Sequence, residues 1–310
     1  MTTETLTRST LRAPTKPVPR KRRNRQLIGW LYVAPFVVFF AMFLVWPTFY
    51  GLYLSLTDGN LATKVAPVFV GLTNYADALG DPLVWRTLGN TLWFTVITTV
   101  PLVVLSLAAA LLINAKLKGT WFWRLSVFMP YLLASTVVSL IFVWLFNPDL
   151  GLVNAGLSVF HITGPAWLQD PNTAMIAVAI ATVWWTIGFN FLLYLAALQN
   201  IPESILEAAS VDGAGRRRQI FSIILPLLGR TTALIVALQV LASVKVFDQI
   251  YQMTGGGPND STRSVLEYVY DSGFSNYRLG YASAISYIFF AIILVLSLIQ
   301  VSIFSRRSSR

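Results

Sequence analysis

The chain has 310 residues, of which 55% are hydrophobic and only 12% charged, and its mean hydropathy is +0.64. That balance excludes an ordinary soluble protein of this length and points to a polytopic membrane protein. The absence of cysteine rules out a disulfide framework, and with a single histidine, His161, no ligand set for zinc remains. A net charge of +10 first suggests a nucleic-acid partner, but the positions of the charges explain it differently.

In chain order, an arm over 1–26, rich in Thr, Pro and Arg, reads as a disordered basic segment. The apolar run behind it is too long for the core of a cleaved signal. Five runs without charge follow: Leu27 to Leu56, Thr87 to Ala115, Leu125 to Pro148, Pro171 to Pro202 and Leu279 to Ser305. Each reaches the roughly 20 residues a helix needs to cross a bilayer. A sixth apolar stretch, interrupted by Lys245 and Asp248, reads as one helix from about Leu227 to Tyr251. In lipid the backbone must satisfy its own hydrogen bonds, so helices are expected and not strands. The expectation is an all-α integral membrane fold with spans near 27–56, 87–114, 125–147, 173–198, 227–251 and 279–304. A loop over 199–226 joins the fourth and fifth, and a basic tail follows over 306–310. No matched broken helices are visible in the two halves.

Eighteen of the 23 lysines and arginines fall in the arm, the turn at Lys116, Lys118 and Arg124, the loop with Arg216, Arg217, Arg218 and Arg230, and the tail. The other side holds Lys64, Arg86, Arg263 and Arg278 with eight carboxylates, among them Asp58, Asp81, Asp260 and Glu267. By the positive-inside rule both termini are cytoplasmic, which agrees with an even number of spans. The charge is then topological and meets anionic lipid headgroups, and no nucleic-acid partner is expected.

The loop between the fourth and fifth spans carries the most information. Pro202 suits a first helical turn and Glu203 its positive dipole end. Ile205, Leu206 and Ala209 share one face, and Asp212-Gly213 is a stop signal at which glycine can take the left-handed conformation. A second short amphipathic piece runs from Gln219 to Leu225, and Pro226 opens the fifth span. Read physically, this is a helix–turn–helix knob at the membrane surface, either lying among headgroups or meeting a partner.

Its spacing resembles the EAA loop of binding-protein-dependent ABC importer permeases: Glu207, Ala208, Ala209, then Asp212, Gly213, Ala214, closing on Ile223 and Leu225-Pro226. Further stretches are similar to the carbohydrate (MalF/MalG-like, type I) branch. They are Val70 to Tyr75, Asn90 to Leu92, Asn147 to Gly151 with Val153-Asn154, Leu198 to Pro202, Phe247 to Tyr251, Thr254 to Pro258 and Gly280 to Ala284. Ile220 departs from the aromatic usual there. The resemblance implies a permease in a bacterial-type inner membrane that forms half of a translocation pore. It implies a second homologous permease, two cytoplasmic ATPase subunits and an extracytoplasmic sugar-binding protein. Glu207 to Ala214 and Pro226 would form the ATPase-coupling segment. ATP and Mg would sit on the partner ATPase, because this chain has no G-x-x-x-x-G-K-[ST] segment, binds no cofactor of its own and is not an enzyme.

Within the spans, Lys245 and Asp248 either neutralise each other three residues apart or line a polar path. Trp184, Trp185 and Asn190, with Gly188 allowing close helix contact, form a sugar-like set of aromatic faces and amides. The alternative is belt and packing residues. Gln239 and Ser243, one turn apart, are further path candidates. Gly255, Gly256, Gly257 and Pro258 form an outer loop, which the resemblance puts near the pore mouth and the binding protein; the alternative is a plain turn. An ABC permease for glycerol phosphate or another small polar solute and, as a different class, an ion-coupled carrier stand as alternatives.

Overall fold

The computed structural model describes residues 23–62, 65–115 and 119–308. Most of the arm expected over 1–26, the side chains of Lys64, Lys116 and Lys118, and residues 309–310 of the tail lie outside them. Every regular element named among the described residues is helical. The chain divides into two compact units, Met1–Tyr50 and Gly51–Arg310.

The first unit is α1 (Arg23–Phe40), which starts four residues ahead of the expected boundary, followed by a π-turn at Ala41–Val45 and the start of α2 (Trp46–Ser55). Leu31, Tyr32, Phe36 and Phe43 are all exposed, so the helix is apolar all round. Such a surface belongs in lipid or against other helices.

In the second unit, α3 (Thr73–Gly80) leads to α4 (Pro82–Asn114), which is capped by Asp81 through a 2.8 Å bond from the Leu83 amide. α5 (Thr120–Phe128) passes through a 3-10 turn at Met129–Leu132 into α6 (Ser135–Leu145). α7 (Leu152–Val159) precedes α8 (Ala174–Gln199). Then come α9 (Glu203–Val211), α10 (Arg216–Gln219), a π-turn at Ile220–Ile224, α11 (Leu225–Leu227) and α12 (Gly229–Val244). α13 (Asp248–Met253), α14 (Val265–Tyr270), a π-turn at Asp271–Ser275 and α15 (Leu279–Ser308) complete the chain.

Four helices are long and apolar enough to cross a membrane: Gly29–Ser55, Pro82–Asn114, Ala174–Gln199 and Leu279–Ser302. The count rises to six if each of two bent pairs is one crossing. These are Thr120–Leu132 with Ser135–Leu145, bent by 99°, and Arg216–Leu227 with Gly229–Val244, bent by 63°. The sequence reading had the third stretch as one helix. Pro130 has no N–H to donate, and the chain at Leu133 and Ala134 is extended, so the helix breaks there.

α4 and α8 form the central pair. α8 turns Ala174, Ala177 and Ala181 inward, all without exposure, and residues this small let two backbones approach closely. α4 answers with a buried row of threonines. Thr91, Thr95 and Thr98 each donate to the carbonyl four residues back, at 2.7–2.8 Å, so the row can be buried without an unmet donor. Gly188 sits where α8 crosses α5. A β-carbon there would fall 2.8 Å from Phe128 Cα and 2.9 Å from Val127 O, so the close helix contact expected of Gly188 is present.

At the end of α4 near Asp81, one carboxylate ties three helices. Asp81 Oδ2 accepts from Tyr268 of α14 and from Tyr281 of α15, both at 2.6 Å. Burial alone would raise the Asp81 carboxyl. The two tyrosine hydroxyls, the Leu83 amide and the Arg278 charge outweigh burial and hold it below its ordinary value.

Candidate coupling loop and membrane pocket

α9 begins at Glu203, with Pro202 one position outside the helix in extended backbone, and not in the first turn as expected. None of its residues is buried. Leu206 and Ala209 are half-buried, whereas Ile205, Glu207 and Ala208 face outward. The helix ends in a Schellman turn. Gly213 has φ 75°, its amide donates to Ser210 O at 3.1 Å, and the Ala214 amide donates to Ala209 O at 2.8 Å. Asp212 is the C-cap. The helix after the turn starts at Arg216, earlier than the Gln219 expected, and Pro226 lies inside α11, before the 63° bend.

About 30 Å away along α4, 20 residues from Asn114 at 1.5 Å per residue, a cavity of about 380 Å³ opens beside Phe94. Trp185, Gln239, Ser243 and Asp248 all line it, so four of the five path candidates converge. Asn190 stands behind the wall. It is 1% exposed and donates from Nδ2 to Gln239 Oε1 at 3.0 Å. Gln239 Nε2 donates to Ser243 Oγ at 3.1 Å, and Ser243 Oγ lies 3.0 Å from Thr98 Oγ1. Since Thr98 already donates to Phe94 O, the Ser243 hydroxyl is the donor between them. The relay therefore runs in one direction, and among the described residues no hydrogen bond engages the second N–H of Gln239. Trp185 is locked by its indole N–H on Leu133 O at 3.0 Å. Trp184 packs edge-on against Phe142 instead and is not part of the wall.

The expected continuous helix over 227–251 is broken. α12 ends at Val244 and α13 restarts at Asp248. Ser264 Oγ donates to the freed carbonyl of Val246 at 3.0 Å. Non-helical backbone at membrane depth is tolerated where protein or a polar cavity meets it, as here. The break also undoes the expected pairing, because three-residue spacing brings side chains together only on an unbroken helix. Among the described residues no ion pair joins Lys245 to Asp248, and Asp248 instead accepts from Ser135 Oγ at 3.3 Å. Lys245 enters the wall, and among the described residues no ion pair engages it. Sequence reasoning missed Tyr131, Thr182 and Gln249 on the same wall. Pro130 beside Tyr131 was the available signal of a bend.

The glycine loop lies between α13 and α14. Gly255 and Gly256 have φ of 56° and 79°, and the Gly257-Pro258 peptide is cis. Asn90 of α4 holds the segment from below, donating to Asp260 O at 2.7 Å and Arg263 O at 3.1 Å. Glu267 of α14 is buried at 1% exposure, with Oε2 unpartnered against Gly256. Burial pushes its carboxyl up to about 7, against the opposing pull of Arg263 and with a smaller push from Asp271 and Asp260. Because the folded value exceeds the ordinary 4.5, the fold favours the protonated acid. Stability is fullest below that ordinary value and falls as pH rises through about 7. Thermal unfolding in detergent between pH 5 and pH 8 should show this decline, and Glu267→Gln should flatten it. A decline of equal size in Glu267→Gln would assign it to other groups.

Among the described residues no group of three or more His, Cys, Asp or Glu could hold a metal.

Two solved structures of a bacterial ABC importer of the acidic polysaccharide alginate share the fold. For one of them the TM-score is 0.79 at 23% identity, covering 91% of this chain and 96% of that one. Residues 102–309 match the family described as binding-protein-dependent transport system inner membrane component, and the chain belongs to that family. It is 35% identical over 289 residues to the sulfoquinovosyl glycerol transport system permease protein SmoG of Agrobacterium fabrum, covering 92% of this chain and 94% of that protein. It is also 35% identical over 285 residues to the sn-glycerol-3-phosphate transport system permease protein UgpA of the same organism, with 91% and 96% covered.

Proposed function

We propose that this chain is the transmembrane permease subunit of an ATP-driven, binding-protein-dependent importer for a sugar or oligosaccharide. It crosses a bacterial-type inner membrane six times with both termini cytoplasmic and forms half of the pore. The partners are a second homologous permease, two cytoplasmic ATPases that bind ATP and Mg, and an extracytoplasmic binding protein. Glu207 to Ala214, with Pro226 behind them, transmit ATPase closure to the pore by alternating access. The observation that carries this reading is α9, a short helix without a buried residue, ended by a Schellman turn at Gly213, at the far end of α4 from a polar, aromatic-walled cavity. A helix this exposed is marginal alone and is built to be gripped by a partner. The cavity offers what a sugar needs: an aromatic face at Trp185 and fixed hydrogen-bonding groups at Gln239, Ser243 and Asp248. The outer loop Gly255 to Pro258 is taken to face the binding protein.

The test is purification of the tagged chain from its native membranes in mild detergent, beside Glu207→Lys. Co-purification of a stoichiometric ATPase and a second permease, with the ATPase lost from the variant, supports the reading. A chain that emerges alone in both cases overturns it and leaves ion-coupled transport to be tested.

A second reading is favoured by one observation: Lys245 stands in the cavity wall and, among the described residues, forms no ion pair. An unpaired ammonium there suits an anionic solute, as in the glycerol phosphate named for one relative. If the solute is anionic, Lys245→Met should raise its apparent KM about tenfold or more in proteoliposome uptake. An unchanged KM would leave the neutral-sugar reading alone.

A further inference from the structure

We infer that Gln219 is the positioning residue that makes α9 and the arm 216–227 one mechanical body, so that displacement of α9 is delivered to α12. The inference rests on the coupling reading proposed above. Cavities of about 470 Å³ and 450 Å³ separate α9 from the end of α4 at Asn114, so α9 has no packed wall to push against there. With no fully buried residue in α9 or α10, and only Leu206 and Ala209 of α9 half-buried, apolar burial alone holds the angle between them weakly. Beyond the Schellman turn itself, one side-chain amide ties them together. Gln219 Nε2 donates to Ser210 Oγ at 2.8 Å and to Ala214 O at 3.1 Å, and lies 3.4 Å from Leu206 O. Ser210 Oγ in turn donates to Leu206 O at 2.8 Å, so its lone pair is aimed at the amide. A single NH2 group thus braces the last turn of α9, the residue after the left-handed glycine, and the helix that follows. From Gln219 the chain runs without a break in helix through the π-turn and α11 to the bend at Leu228, which is buried. Beyond that bend α12 carries Gln239 and Ser243 to the cavity wall. At its other end α9 is joined to α8 by the short segment Asn200 to Pro202.

The chemistry predicts which substitutions preserve the brace. Methionine keeps the length of glutamine but donates nothing, whereas lysine offers three donors to the same three acceptors. The chain has no native cysteine, so Ser204→Cys on α9 and Leu227→Cys at the end of the arm, where the side chain is exposed, give a clean spin-label pair. In the complex with its ATPase, in lipid nanodiscs, the separation of the pair is measured without nucleotide and with ATP, Mg and vanadate. Native Gln219 and Gln219→Lys should give one narrow separation that nucleotide leaves unchanged. Gln219→Met should keep the ATPase bound, yet show a broadened separation that shifts with nucleotide, and stimulation of ATP hydrolysis by the binding protein about fivefold lower. A methionine variant that matches native in both measurements overturns the inference. So does one that sheds the ATPase, since Gln219 would then serve docking and not transmission. A Glu207→Lys complex that keeps its ATPase would instead overturn the coupling reading itself, so the two failures are distinguishable.

Discussion

Replacing Gly188 with leucine should abolish recovery of folded protein. The α-carbon of Gly188 faces the backbone of α5, and even a bare β-carbon would sit 2.8 Å from Phe128 Cα. Backbone cannot step aside as a flexible side chain can, so α8 and α5 would have to separate. Alanine should cost about 1–3 kcal/mol by overpacking, and leucine more. The separation would also disturb the Trp185 indole bond to Leu133 O across the same contact. Fluorescence-detected size exclusion and thermal unfolding in detergent would read the effect. A leucine variant that elutes as native protein, with an unchanged midpoint, would show that the two helices do not meet there.

The second large effect concerns the turn after α9. Gly213 has φ 75°, a conformation that strains an L-residue by about 1–2 kcal/mol and a β-branched one most. Asparagine is the residue that tolerates it best after glycine. If the segment docks an ATPase as proposed, Gly213→Val should leave a folded chain that no longer retains the ATPase, while Gly213→Asn should retain most of it. No atom lies within 4 Å of the position a β-carbon would take, so the effect tests backbone conformation and not crowding. Quantitative co-purification of the ATPase measures it. Equal retention by valine and asparagine would remove the left-handed turn from the coupling argument.

Much of this architecture was legible because it is local. The stop at Asp212-Gly213 follows from residue type and near neighbours, whereas glycine at 188 marked a close helix contact without naming α5 as the helix it meets. The helical class follows from uncharged runs that must satisfy their own backbone. The break between Val244 and Asp248 was not legible, because the apolar pattern continues across it through Val246, Phe247 and Ile250. What holds the break open is Ser264, 18 residues further on, bonding to the Val246 carbonyl. The relay was half legible. Asn190, Gln239 and Ser243 stood out as polar residues in apolar helices, but their order did not. Asn190 meets Gln239 across 49 residues of chain, and only the packing of α8 against α12 makes one the wall and the other its support.

The carboxylate at Asp81 has a consequence for biosynthesis. Its two tyrosine partners lie 187 and 200 residues downstream, the second of them on the last helix. While the chain is being made, α4 enters the membrane with Asp81 bound only to its own cap. It waits for nearly the whole of the remaining chain before the tyrosine hydroxyls arrive. The face of the molecule around α3, α14 and α15 is therefore closed last, and α15 is the element that closes it.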